Sequence, residues 1–171
     1  LNSLSSADLE LQKAWLAGEI RKSSKTFQVV YFHHPPYSPG DHGGTDYMQW
    51  DFSAWGVDVV LAGHDHIYAR MELQGQEGLH YIVNGVGGKS LYSCHENYAE
   101  EGLSLQNCMD SHYGAMRCTA DSAQMIMEFF AVDDPDPMKE LVDRYDFDAV
   151  LMALNAADKH HNPYIEKLLP T

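Results

Sequence analysis

The stretch Gly63-His64-Asp65-His66-Ile67-Tyr68 constrains this chain more than any other. It follows Val57, Val59, Val60, Leu61 and Ala62, an apolar run short and β-branched enough to be a buried strand. A glycine then permits a sharp change of direction. Two histidines follow, two positions apart, with an aspartate between them. Imidazoles on a tight turn at the carboxyl end of a buried strand stand where an α/β sheet presents metal ligands.

A second block of the same kind lies upstream. Residues 27–32 (FQVVYF) are predicted as a strand covered on both faces. The strand ends at His33-His34-Pro35-Pro36, because two prolines cannot continue a ladder. Residues 37–46, rich in Gly, Pro and Asp, form a loop that carries His42. If the two strands are parallel neighbours, His33 lies beside the His64/His66 turn. A single histidine at a strand end is more often a surface or hydrogen-bonded residue than a ligand. Four of them, His33, His42, His64 and His66, on strand exits of one sheet point to metal.

Around these blocks the pattern is mixed α/β. Ser5 and Ser6 cap a helix that runs to about residue 25. Leu9, Leu16 and Ile20 recur at helical spacing, and Leu11 and Trp15 widen the apolar face. Residues 47–55 suit a short helix stopped by Gly56. Strands at 68–73 and 79–83 flank a turn at 75–78, and residues 84–88 (NGVGG) form a flexible loop able to approach the site. Residues 89–111 read as a surface insertion, followed by strands at 113–119 and 124–132. The run Asp133-Asp134-Pro135-Asp136-Pro137 marks a boundary, giving a main unit over 1–134 and a helical tail over 135–171. In that tail Met138, Leu141, Val142 and Tyr145 suit one short helix, and Phe147, Val150, Leu151 and Leu154 another.

Composition excludes some partners. The chain carries 11 Lys+Arg against 25 Asp+Glu, a net charge of -14, which argues against nucleic acid or an anionic membrane surface. A phosphorylated substrate is not excluded, since bound cations reverse the field locally. No run is apolar and long enough to span a bilayer. Of the three cysteines, Cys94 and Cys108 bracket a polar loop; they either bridge, in an oxidising compartment, or stay as thiols.

Four blocks together, Gln12-Lys13-Ala14-Trp15-Leu16, Val29-Val30-Tyr31-Phe32-His33-His34-Pro35-Pro36-Tyr37, Trp55-Gly56-Val57-Asp58 and Gly63-His64-Asp65-His66-Ile67-Tyr68, resemble the calcineurin-like metallophosphoesterases, in particular the purple acid phosphatase branch. The resemblance implies a four-layer α/β/β/α sandwich with two metal ions (Fe, Zn or Mn) at its carboxyl edge. By motif, His33 and His64 are ligands of the second metal and His66 of the first. His42 matches a substrate-facing histidine that contacts phosphate or protonates the leaving group. His34, Asp65 and Tyr68 are expected behind the ligands or at the substrate, with Asp65 aimed away from the metals. The family's Asp-x-His, Gly-Asp and Gly-Asn-His-Asp/Glu blocks are missing here, so the chain resembles the carboxyl-terminal half of the fold. It is expected to need the amino-terminal half as partner. The implied activity is phosphomonoester hydrolysis by an exported protein. The alternative is a structural or binding protein of an extracellular assembly that reuses the phosphatase fold.

Overall fold

The computed structural model describes residues 5–95, 98, 102–132 and 141–148. In chain order the elements are α1 (Ser6–Lys22), β1 (Val29–Tyr31), a 3-10 turn (Asp46–Met48), α2 (Phe52–Trp55), β2 (Val59–Ala62), β3 (Tyr68–Leu73), β4 (His80–Asn84), β5 (Leu103–Met109), β6 (Gly114–Ala120), β7 (Gln124–Ala131) and β8 (Leu141–Asp148). Helix α1 starts in a capping box, in which the Ser5 hydroxyl accepts from the Asp8 amide and the Asp8 carboxylate accepts from the Ser5 amide. Arg21 and Lys22 close it in the last turn, where positive charge suits the helix dipole.

Five strands form one sheet in the order β1-β2-β4-β3-β5, and β6-β7-β8 form a second. β1, β2 and β4 are parallel, whereas β3 runs antiparallel to β4 and β5. Strand alternation sends successive side chains into different cores. Val60, Ala69, Met71, Tyr81 and Val83 face the helical side with Ile20, Trp50 and Phe52. Val59, Tyr68 and Ile82 face the second sheet and meet Met125, Met127, Phe129, Tyr145 and Phe147. Among the described residues the layers are therefore helix, sheet, sheet.

Several sequence expectations change. Residues 47–55 are not one helix but two short turns, because Trp50 and Phe52 both turn into the core, which positions two apart on one helix cannot do. β1 is covered on one face only: as an edge strand it leaves Val29 and Tyr31 exposed, and on α1 Leu11 and Trp15 are exposed too. Part of the expected insertion is β5, which pairs with β3. The helix expected around Leu141 and Tyr145 is strand β8; Asp143, Tyr145 and Phe147 are buried while Arg144 and Asp146 are exposed, a period of two. The rest of the expected tail, with Met138, Val150, Leu151 and Leu154, lies outside the described residues.

A polar clamp joins the sheets. The Tyr68 hydroxyl donates to Asp143 at 2.9 Å, and the Arg70 guanidinium grips the same carboxylate at 2.7 and 3.2 Å. Arg70 also lies over the Tyr145 ring, 4.9 Å from its centroid. His80 packs beside it between the rings of Tyr145 and Phe147. Burial, together with the Arg70 charge, pushes the His80 imidazole down to about 4.

At the start of β2, next to His80, Asp58 accepts from the Gln28 amide, yet burial pushes its carboxyl up to about 7. Native Asp58 keeps a proton that the unfolded chain releases near pH 3.8, so its stabilisation is full below that pH and is lost as pH rises through 7. Native His80 refuses a proton that the unfolded chain accepts near 6.5, so its stabilisation is full above 6.5 and is lost as pH falls towards 4. The two contributions oppose each other across the same interval. In urea melts from about pH 4 to 6.5, Asp58→Asn is expected to gain stability with rising pH relative to the parent, and His80→Gln to lose it. Slopes of the same sign in both variants contradict this assignment.

Candidate metal centre

The site begins with the pairing of β1 and β2. Their parallel register sets Val29 against Val59 and Tyr31 against Leu61. The ladder continues past both strands, with the Phe32 amide donating to Leu61 O and the Gly63 amide to His33 O, each at 3.1 Å. His33 and His64 therefore leave adjacent strands at the same level. His64 then adopts φ 68, the only positive φ outside glycine among the described residues. The Asp65 amide donates to Gly63 O at 2.8 Å across it, closing a three-residue turn. Such a backbone costs on the order of 1–3 kcal/mol and persists only where its surroundings enforce it.

The enforcement comes from Asp65. Its carboxylate is fully buried and accepts from the Ser38 hydroxyl and, at 2.9 Å, from the His42 amide. The Ser38 hydroxyl also accepts from the Gly40 amide at 3.1 Å. Residues 35–40 are all buried, so the loop carrying His42 is packed down rather than free. Gly40 and Gly85 allow this closeness: a Cβ at Gly40 would overlap the Asp65 side chain, and one at Gly85 the Asp65 carbonyl.

Five of the histidines read from the sequence are gathered above this base. His64 Nδ1 and His33 Nε2 face each other at 3.1 Å. His34 contributes a third nitrogen, all three lying within 4.8 Å of one another. The His42 ring stacks on His64 with centroids 4.5 Å apart. His66 turns to the other side of the turn; its Nδ1 lies 2.7 Å from Ser90 O and its ring stacks on Tyr92 at 4.1 Å. A carbonyl partner calls for the proton on Nδ1, which leaves Nε2 as the free donor of electrons. Burial, and then the neighbouring His34, His42 and His33, hold the His64 imidazole below its ordinary value, favouring the neutral form a metal needs.

These residues fit a metal. Two nitrogens bound to one tetrahedral zinc at 2.0–2.1 Å stand about 3.3 Å apart, close to the His33–His64 separation. His66 Nε2 is held apart from that pair by the turn. Asp65 is spent on the Ser38 hydroxyl and the His42 amide rather than on the cluster. Tyr68 is not at the site: alternation turns it towards the second sheet, where its ring stacks on Phe129 at 3.9 Å. Sequence reasoning missed Ser38, Ser90 and Tyr92, which lie in irregular stretches where nothing periodic marks them. The Cys94–Cys108 bridge, left open by the sequence, is formed.

The family model described as calcineurin-like phosphoesterase matches residues 2–68, a segment that holds all five clustered histidines. Over that segment the chain is similar to the calcineurin-like phosphoesterases. Tartrate-resistant acid phosphatase type 5 of Oryctolagus cuniculus is 31% identical over 113 residues, 61% of this chain and 31% of that protein. The Rattus norvegicus protein of the same name is 30% identical over 80 residues, 44% of this chain and 24% of its own length. The chain thus spans a quarter to a third of these relatives. A solved structure described as "GAP50 the anchor in the inner membrane complex of Plasmodium" superposes with TM-score 0.67 at 16% identity, covering 94% of this chain and 51% of that one, and shares the fold.

The glycine at position 85 offers a direct check of how tightly the turn is backed. Gly85→Ala is expected to cost about 2–3 kcal/mol in denaturant unfolding. Gly87→Ala, where an added Cβ meets nothing within 4 Å, is expected to stay within about 0.5 kcal/mol of the parent. Equal effects of the two contradict the packing described.

Proposed function

We propose that the protein carrying this chain is a metal-dependent phosphomonoester hydrolase of the acid phosphatase type. The 3.1 Å His33–His64 nitrogen pair, with His66 presented separately, is the observation that carries the reading. His33 and His64 would hold one ion and His66 a second, with Fe, Zn or Mn as candidates. Bound there, the ions would supply Lewis acidity to a phosphate oxygen and lower the pKa of the attacking water. His42, held through its amide on Asp65 and its ring on His64, would protonate the leaving oxygen. His34 adds a further imidazole against the pair and would bind or orient phosphate.

The remaining ligands come from an amino-terminal half of the same fold. β1 is an edge strand, and a groove of about 640 Å³ beside it is lined by Trp15, Leu16, Val29, Tyr31, Met48 and Trp50. An open edge beside apolar side chains suits further strands of the same sheet. No helix among the described residues is long and apolar enough to cross a membrane. The disulfide favours an exported location.

A second reading, a non-catalytic structural protein, draws on the solved relative described as an anchor. Metal content and p-nitrophenyl phosphate hydrolysis by the intact protein separate the two. The hydrolase reading expects about two metal ions per site, lost with activity in His64→Ala. It also expects His42→Ala to slow alkyl phosphates more than p-nitrophenyl phosphate, whose leaving group needs no proton. A metal-free, inactive parent protein would leave the structural reading.

A further inference from the structure

Residues 90–95 lie across the histidine cluster as a strap. Ser90 O takes the His66 Nδ1 proton, and the Tyr92 amide donates to His66 O at 3.1 Å. The Tyr92 ring lies flat on His66, with an interplanar angle of 22°, and presents its edge geometry to His42 at 5.2 Å and 80°. Tyr92 therefore touches both the ring read as a ligand of one ion and the ring read as the proton donor. Farther along, the His95 amide donates to Pro39 O at 2.8 Å, and its imidazole pairs with Asp41 at 3.0 Å, both on the loop that carries His42.

What fixes the strap to the body of the protein is the bond between Cys94 and Cys108, the latter on β5 and paired with Ala69 of β3. Its other ties are hydrogen bonds, several of them at exposed residues such as His95 and Asp41, and the packing of Leu91 and Tyr92 against the two cores. Both cysteines are only partly buried, so a thiol reaches them. The third cysteine, Cys118, is a free thiol on a different sheet.

We propose that Tyr92 is a positioning residue for His66 and His42, and that the Cys94–Cys108 disulfide sets its place, making the site responsive to thiol reduction. A dithiol reductant breaks the sulfur–sulfur bond and leaves as its own cyclic disulfide, delivering two electrons and two protons that end as the Cys94 and Cys108 thiols. The strap then rests on its hydrogen bonds and side-chain packing without a covalent tie, and Tyr92 is free to move off the two histidine rings. The structural part of this inference stands on the geometry above; only its kinetic part rests on the hydrolase reading.

The test uses the intact protein, its Tyr92→Phe and Tyr92→Ala variants, each with and without dithiothreitol. Histidine ring protons are followed by NMR in the metal-free protein, and kcat and KM for p-nitrophenyl phosphate in the metal-loaded one. In the oxidised parent, His66 is expected to carry a ring-current shift from Tyr92 that Tyr92→Phe keeps and Tyr92→Ala abolishes. Reduction of the parent is expected to abolish it too. On the kinetic side, Tyr92→Ala and reduction are each expected to lower kcat by on the order of tenfold with little change in KM, and reduction is expected to add nothing to Tyr92→Ala. Oxidised Tyr92→Phe is expected to match the parent. A His66 shift unmoved by reduction, or losses that multiply in reduced Tyr92→Ala, overturns the proposal. The expected NMR pattern in a parent that hydrolyses nothing supports the strap and removes the hydrolase reading alone.

Discussion

The site depends on the parallel pairing of β1 with β2. Only that register, continued by the Phe32 and Gly63 amides, brings His33 and His64 out of the sheet at one level. Two histidines 31 positions apart thereby become a nitrogen pair 3.1 Å across. An antiparallel or shifted pairing would send one of the rings to the far end of the sheet or to its other face. β4 on the far flank of β2 buries that strand between two neighbours and so fixes its exit.

The turn that follows divides its residues by task. His64 and His66 point their rings to separate places, and Asp65 between them goes down into the protein. There it is a buried acceptor for Ser38 and His42, so the residue between His64 and His66 also secures the loop that carries His42. The strain at His64 is balanced by these bonds and by the close approach of Gly85. On the opposite face of the same sheet Tyr68 and Arg70, only two and four residues past His66, bind Asp143 of β8. One short segment thus anchors the site above and the second sheet below, and a charge pair this buried holds its geometry more than it adds stability.

Much of this was legible in the sequence where local rules suffice. The apolar run before Gly63, the prolines after His34 and the capping serine each act within a few residues, and the elements they predict are present. His33, His42, His64 and His66 are legible from strand exits, and the meeting of His33 with His64 follows from the strand order. What escaped depends on contacts distant in sequence. Tyr92 and Ser90 gain their roles only from a bridge to β5 and from bonds to His66. Tyr68 sits next to the motif, but strand alternation turns it to the other face. β8 looked helical because Leu141, Val142 and Tyr145 fit that spacing as well as the strand's; burial of Asp143 by Arg70 decides it. Tyr31 and Trp15 read as core, yet on this chain they line an open edge.

The proposed function requires that His64 and His66 serve different ions. Crystals of the intact protein, measured at the absorption edge of the bound metal, test this directly through the anomalous signal. The account predicts two peaks about 3.5–4 Å apart, one between His33 Nε2 and His64 Nδ1 and the other at His66 Nε2. A single peak within bonding distance of both His64 and His66, or a peak held by neither, contradicts it.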